Sequence, residues 1–514
     1  MVYLYDPVDP VVQTRFGKVR GYCYGGVNHF LGIRYAQARR FQLPVDPPSW
    51  EGVRDAKRFG PVMLQMRPFG GSTKSGGMAN PWFESEDCQY LNVWAPKPHD
   101  GGLRPVFVWM HGGGYFSGSA MEFETTDGFN MAHDGNVVFV SMNHRLNLLG
   151  HLNLSDYGEE FRYSKNVGIA DLVAALKWIH ENIEAFGGDP DNVTIAGHSG
   201  GGGKVLCMYQ IEQAKDYFSR GIVISGCLDN GPETNEADSR AMAKAMLDHL
   251  GITRENTSRL YELSYGELLG AYRAAVPALR KAGVNIGMAP LADDIFRGFP
   301  IDGDFCPWSK DKPLLLSSTI GEFNFKVNIP ESVKDTLTEE GKLEMIRERF
   351  GESADALLSL FREAYPTHDI LDLMYLDADF RRPTVETARI KARAGACDNT
   401  FVYLFAYNMP QEHRIPAWHG ADVGYALFNT DKQPVGNEPV YGEQNSRALK
   451  YAFLNFTVHG DPNHPYLPQW KPFTDGHRYT MVIDRKNELK EAFDEELIAL
   501  YKKACPPLRF SPEA

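Results

Sequence analysis

Hydrophobic positions fall into two rhythms along this chain. "PVFVWMHGGG" (105–114) and "NVVFVSMNHR" (136–145) are near-continuous apolar runs of strand length. Such runs belong to strands buried on both faces of a mostly parallel sheet. "GIVISG" at 221, "KPLLLSSTIGE" at 312 and "TFVYLFAYN" at 400 repeat the pattern. By contrast, "NVGIADLVAALKWIHENIEAF" (166–186) spaces its apolar residues three and four apart, which predicts an amphipathic helix. "NVTIAGHSGGGGKVLCMYQI" (192–211) reads as strand, sharp turn, helix. This alternation predicts an α/β protein with a large, mostly parallel central sheet flanked by helices.

Two stretches depart from the alternation. "EADSRAMAKAMLDHL" and "YGELLGAYRAAVPALRKAG" mark a helical insertion at about 229–311, and a second helical block spans about 338–395. Insertions between sheet strands commonly wall a binding site. No internal repeat and no linker rich in Gly, Ser or Pro interrupts the 514 residues, so one domain spanning 1–514 is expected.

Charge and cysteines narrow the function classes. The 53 basic and 66 acidic residues give a formal charge of −13, which disfavours nucleic acid or an anionic membrane surface as partner. The N-terminus shows no basic stretch followed by an apolar one, and no apolar run approaches the roughly 18 residues that cross a bilayer. A cytoplasmic protein is the expectation. The seven cysteines are scattered without CxxC spacing, so neither a disulfide framework nor a zinc site is expected.

The candidate chemistry begins at Gly197-His198-Ser199-Gly200-Gly201, a G-x-S-x-G match with a β-rich run before it and a helix after it. In that context the serine sits on a strained strand-to-helix turn, its flanking glycines removing side chains that would clash. A serine hydroxyl needs a base and an orienting carboxylate, which in this fold follow in the order serine, acid, histidine. The histidines beyond Ser199 are His249, His368, His413, His419, His459, His464 and His477. Of these, His419 in "IPAWHGADVGY" has a glycine beside it that lets a loop carry the imidazole inward. Asp302, Asp304 and Glu322 are the candidate acids; Glu322 leads because it ends a buried strand, where open α/β sheets place their sites. "HGGG" (111–114), again after a strand, supplies oxyanion amides at Gly113 and Gly114 beside that of Gly200. Tyr115, Phe116, Phe323 and Phe325 adjoin these elements and are candidate pocket walls.

On these motifs the chain resembles the type-B carboxylesterases, the family of cholinesterases, liver carboxylesterases and bacterial para-nitrobenzyl esterases. The likeness runs end to end through "FLGIRYAQ", "SEDCQYLNVWAP", "HGGGYFSGS", "FGGDPDNVTIAGHSGG", "PIDGDF", "HGAD" and "NFTVHGDPN". It implies an α/β-hydrolase fold, with the helical insertions forming a gorge, and a triad of Ser199, Glu322 and His419. It also implies an oxyanion hole of Gly113, Gly114 and Gly200, and a supporting Ser225. Neither cofactor nor metal is implied. The expected activity is hydrolysis of small carboxylic esters through an acyl-enzyme. The alternatives are amide, carbamate or carbonate cleavage on the same triad, or a non-catalytic cholinesterase-like binding protein.

Three departures stand out. His198-Ser199-Gly200 occupies the place of the family's Glu-Ser-Ala, which removes a negative charge near the base and is expected to lower its pKa. Met63 replaces the cysteine that pairs with the Cys88 position in disulfide-bonded relatives. "GIRYAQARRF" is shorter than its family counterpart, which implies a more open rim.

Overall fold

The computed structural model describes residues 4–66, 82–97, 101–228, 235–323, 327, 329–395, 398–410 and 415–505; the candidates Phe325 and His413 lie outside them. Its strands are β1 (Val11–Gln13), β2 (Lys18–Arg20), β3 (Tyr22–Tyr24), β4 (Val27–Arg34), β5 (Val53–Asp55), β6 (Tyr90–Pro96) and β7 (Arg104–Met110). They continue with β8 (Val138–Met142), β9 (Gly188–His198), β10 (Arg220–Ile224), β11 (Leu314–Thr319), β12 (Thr400–Phe405), β13 (Tyr479–Ile483) and β14 (Glu488–Glu491). β1, β2 and β5 form a small sheet, while the other eleven make one large sheet ordered β14-β13-β12-β11-β10-β9-β7-β8-β6-β4-β3. From β8 through β13 in that order every pairing is parallel. Antiparallel neighbours close both edges.

The strand rhythm follows from burial on both faces. In β7, Phe107 and Trp109 enter one core, whereas Val106, Val108 and Met110 enter the other, as a side-chain period of two requires. The second core is covered by helix Val167–Asn182, which contributes Ile169, Leu172, Leu176 and Ile179, and by helix Gly200–Met208. The first is covered by helix Tyr441–His459 through Leu449, Ala452, Phe453 and Phe456. A buried bidentate pair ties helix Val167–Asn182 to the segment after β8: Arg145 donates from Nε to Asp171 at 2.8 Å and from Nη2 at 2.7 Å.

The insertions are helical in part. Helices Glu236–Leu250 and Tyr265–Lys281 open the first one, but from 282 to 313 the chain runs in turns around a 3-10 segment, Pro300–Asp302. Gly283, Gly287, Pro290, Gly298, Pro300, Gly303 and Pro307 fall within that stretch, too frequent for any helix to propagate. In the second block lie helices Glu339–Phe350, Ala354–Ala364 and Arg381–Ala394. No helix among the described residues is long and apolar enough to cross a membrane.

Candidate active site

Register gathers the candidates. β7 pairs Met110 with Gly197 of β9, β9 pairs His198 with Ile224 of β10, and β10 pairs Ile224 with Ser317 of β11. The residues that follow these strand ends are the HGGG loop, Ser199, Ser225 and Glu322. His419 follows β12 in the chain, and β12 lies next to β11. One edge of a parallel sheet, at its carboxyl ends, therefore holds the HGGG loop, Ser199, Ser225 and Glu322.

Ser199 has φ 58° and ψ −129°, a region costing a non-glycine residue of order 1–3 kcal/mol. The fold holds it there by a hydrogen bond from its amide to the Ile224 carbonyl, 2.8 Å, and by the Gly203 amide donating back to its carbonyl, 3.1 Å. Glycine is required around it by contact: a Cβ at Gly201 would collide with the Met110 carbonyl, and one at Gly200 with the Gly114 backbone. The alanine that the family pattern places at 200 thus has no room, and the HGGG loop lies directly on the elbow.

Glu322 and His419 meet. Glu322 Oε2 stands 2.5 Å from His419 Nδ1, the His419 amide donates to the Glu322 carbonyl at 2.6 Å, and the Thr319 amide donates to Glu322 Oε1 at 2.7 Å. Burial pushes the Glu322 carboxyl up, against the Thr319 amide and the Ser225 hydroxyl, which pull it down. That hydroxyl faces the carboxylate but stands outside hydrogen-bond geometry. Burial pushes His419 down, so its imidazole rests neutral, as a base must. His419 Nε2 is buried and unpartnered, so its bond to Ser199 is not closed. Such contacts are commonly long before substrate binds and tighten in the Michaelis complex.

Three rings enclose the imidazole. Phe323 stacks on it at 4.6 Å between centroids, Phe380 lies at 5.0 Å and His198 at 4.3 Å. Burial and the neighbouring His419 both press His198 toward its neutral form. Gly420, at φ 84°, passes so close that a Cβ there would stand 2.9 Å from His198 Cε1. Sequence reading missed Phe380, which comes from the second insertion and carries no motif. It also missed Asp377, which caps the Phe380 and Arg381 amides at 2.7 and 3.0 Å. Burial and then the charge of Glu322 raise Asp377 to about 7. Missed too was Asp422, fully buried and bonded to the Tyr403 hydroxyl at 2.8 Å.

Other candidates lie elsewhere. Asp302 and Asp304 make no contact with His419: Asp302 ends the 3-10 turn, and Asp304 accepts from the Phe305 amide. His368 lies in a pair of carboxylates, His464 on the Ala448 carbonyl and His477 on Glu491. Tyr115 is 4% exposed and packs among Cys207, His151 and Lys204, a core position rather than an open wall. Phe116 is half-buried beside Gly114. Met63 does stand where a disulfide partner would, its Sδ 3.8 Å from the Cys88 thiol.

Known proteins resemble this chain over nearly its whole length. The model of the carboxylesterase family matches residues 8–500. The para-nitrobenzyl esterase of Bacillus subtilis is 30% identical, the match covering 92% of this chain and 94% of the relative. The phenmedipham hydrolase of Pseudarthrobacter oxydans is 31% identical, covering 92% and 95%. Among solved structures, an esterase of Clostridium hathewayi superimposes with a TM-score of 0.92 at 40% identity, covering 98% of this chain and all (100%) of that one. The agreement of sheet order, elbow and full-length similarity identifies the chain as a member of the carboxylesterase family, a serine hydrolase of carboxylic esters on the α/β-hydrolase fold.

Proposed function

We propose that Ser199, Glu322 and His419 are the acyl-transfer triad, with Gly113, Gly114 and Gly200 as the oxyanion hole. The observation that carries this reading is the 2.5 Å Glu322–His419 pair, presented at the strand ends beside the strained Ser199 turn. His419 Nε2 takes the Ser199 proton as Oγ attacks the ester carbonyl, and the amides of the three glycines receive the developing oxyanion. The protonated imidazole, stabilised by Glu322, then gives its proton to the leaving alcohol. Water attacks the acyl-enzyme by the same route and frees Ser199. Ser225 supports the Glu322 carboxylate.

The substrates we infer are small carboxylic esters that carry an aromatic group. Phe323 and Phe380 present apolar faces next to the base, and Phe116 borders the glycine loop. The named relatives act on para-nitrobenzyl esters and phenmedipham, and the Clostridium hathewayi enzyme on aliphatic aromatic polyesters. A reducing, cytoplasmic setting fits the six free thiols among the described residues, five of them buried.

A panel of chromogenic esters with graded acyl chains and paired amides, run on wild type and Ser199→Ala, tests the reading. Ester turnover should fall about 10⁴–10⁶-fold in the variant, and labelling by a fluorophosphonate should vanish with it. Turnover retained to within tenfold in Ser199→Ala would refute the assignment.

A further inference from the structure

Lys204 is a lysine with 0% exposure. It sits on helix Gly200–Met208, which springs from Ser199. Burying an ammonium is expensive unless its donors are used, and among the described residues no carboxylate forms an ion pair with this one. Its one hydrogen bond goes to the His111 carbonyl, at 2.9 Å. That carbonyl belongs to the peptide from which the Gly112-Gly113-Gly114 run begins. At the far end of the run is Tyr115, whose ring centroid stands 5.9 Å from Lys204 Nζ, within cation–π range. A single side chain rooted in the nucleophile helix thus reaches both ends of the glycine loop.

The surroundings isolate it further. His111 stacks on His144 at 4.9 Å, and Tyr115 meets His151 edge-on at 5.3 Å. Burial first, and Lys204 next, holds His111 and His144 in the neutral form. His151 is lowered to about 3, chiefly by burial, with Lys204 and Arg145 adding a little. Burial lowers Lys204 itself to about 7, against smaller opposing pulls from Cys207 and Glu122. Ammonium and neutral amine both donate to a carbonyl, so the contact survives either state. The glycines bring no side chains of their own: Gly113 and Gly114 both have positive φ, 84° and 61°. The Phe116 and Ser117 amides hold the Gly113 carbonyl at 3.2 and 3.1 Å and the Asn147 amide holds that of Tyr115 at 2.7 Å, so Lys204 supplies the anchor at the start of the run.

We propose that Lys204 is a positioning residue for ester hydrolysis, clamping the His111–Tyr115 loop so that the Gly113 and Gly114 amides stay aimed at the oxyanion. The inference rests on the acyl-transfer reading above. It assigns the lysine no contact with substrate.

The test is Lys204→Met, which fills the place of the aliphatic stem and removes the donor. Turnover of a short-chain chromogenic ester should fall about 10–100-fold with KM moving less than threefold, because only a contact made in the transition state is weakened. Affinity for a trifluoromethyl ketone, which forms the oxyanion, should fall in proportion to kcat/KM, whereas affinity for the product alcohol should hold. A lysine serving packing alone would lower the melting temperature and leave the ketone-to-alcohol ratio unchanged; that result, or turnover within twofold of wild type, overturns the clamp. If Lys204→Met does not fold, Lys204→Gln carries the same measurements, its amide being one atom too short to reach the carbonyl. Wild type that hydrolyses no ester would refute the acyl-transfer reading instead, so the two failures are distinct.

Discussion

His419 and His368 are both largely enclosed imidazoles with a carboxylate on Nδ1, and they titrate in opposite directions. His419 touches Glu322 on Nδ1, leaves Nε2 unpartnered and is otherwise surrounded by the uncharged rings of Phe323, Phe380 and His198. His368 holds Asp372 on Nδ1 at 3.1 Å and Asp484 on Nε2 at 3.0 Å. Burial lowers both. For His368, however, the hydrogen bonds and charges of its two partners outweigh burial and raise it to about 9, while His419 keeps the downward shift. One environment thus keeps its histidine neutral and the other keeps its histidine charged. What covers the second nitrogen decides which.

Deleting each ring separates the two roles. His419→Ala should remove about 10⁴–10⁶ of kcat on a chromogenic ester, since a triad base acts as a unit with its nucleophile. Its thermal midpoint should also fall, because the buried Glu322 carboxyl loses its partner, so turnover is read per folded molecule. A variant within a hundredfold of wild type would show that another group takes the Ser199 proton.

How far each half of the comparison was legible in the sequence has a physical reason. Strands and elbow were legible because burial on both faces leaves unbroken apolar runs, and because steric crowding around Ser199 forces glycine at 197, 200 and 201. Glu322 was legible from its place at a strand end. Phe380 and Asp377 were not, since they come from an insertion whose packing against His419 no local pattern encodes. Lys204 offered one signal, a lone cation inside "GGGGKVLCM" with no polar neighbour to share a solvated face. His368 offered none: its carboxylates lie 4 and 116 residues away, and only the tertiary fold brings the second one near.

His368→Gln reads the other half. It leaves two carboxylates without their cation, and removing one member of a buried pair costs about 3–5 kcal/mol. Turnover per folded molecule should remain within about threefold. The sign with pH follows from a pKa raised from about 6.5 in the unfolded chain to about 9 in the fold. The stabilisation is complete below pH ~6.5 and is lost as pH rises through about 9. Denaturant titrations at pH 6 and pH 10 should therefore show a large gap between wild type and variant that narrows at the higher pH. A gap that is constant across that range would mean His368 is not protonated in the fold.

The finest adjustment is at His198, whose neutral ring lies 4.3 Å from that of His419. Glutamate there would place a negative charge against the base. An adjacent anion favours the imidazolium, so the pKa of His419 should rise, and the base should be lost at a higher pH. In the kcat/KM profile of His198→Glu the acidic limb should move up by about one pH unit, lowering rates about tenfold on that limb and leaving the plateau near wild type. The shift separates two contributions to the lowered pKa of His419. A full unit assigns much of it to the missing carboxylate at 198, whereas an unmoved limb assigns it to enclosure by Phe323 and Phe380, which the substitution leaves in place.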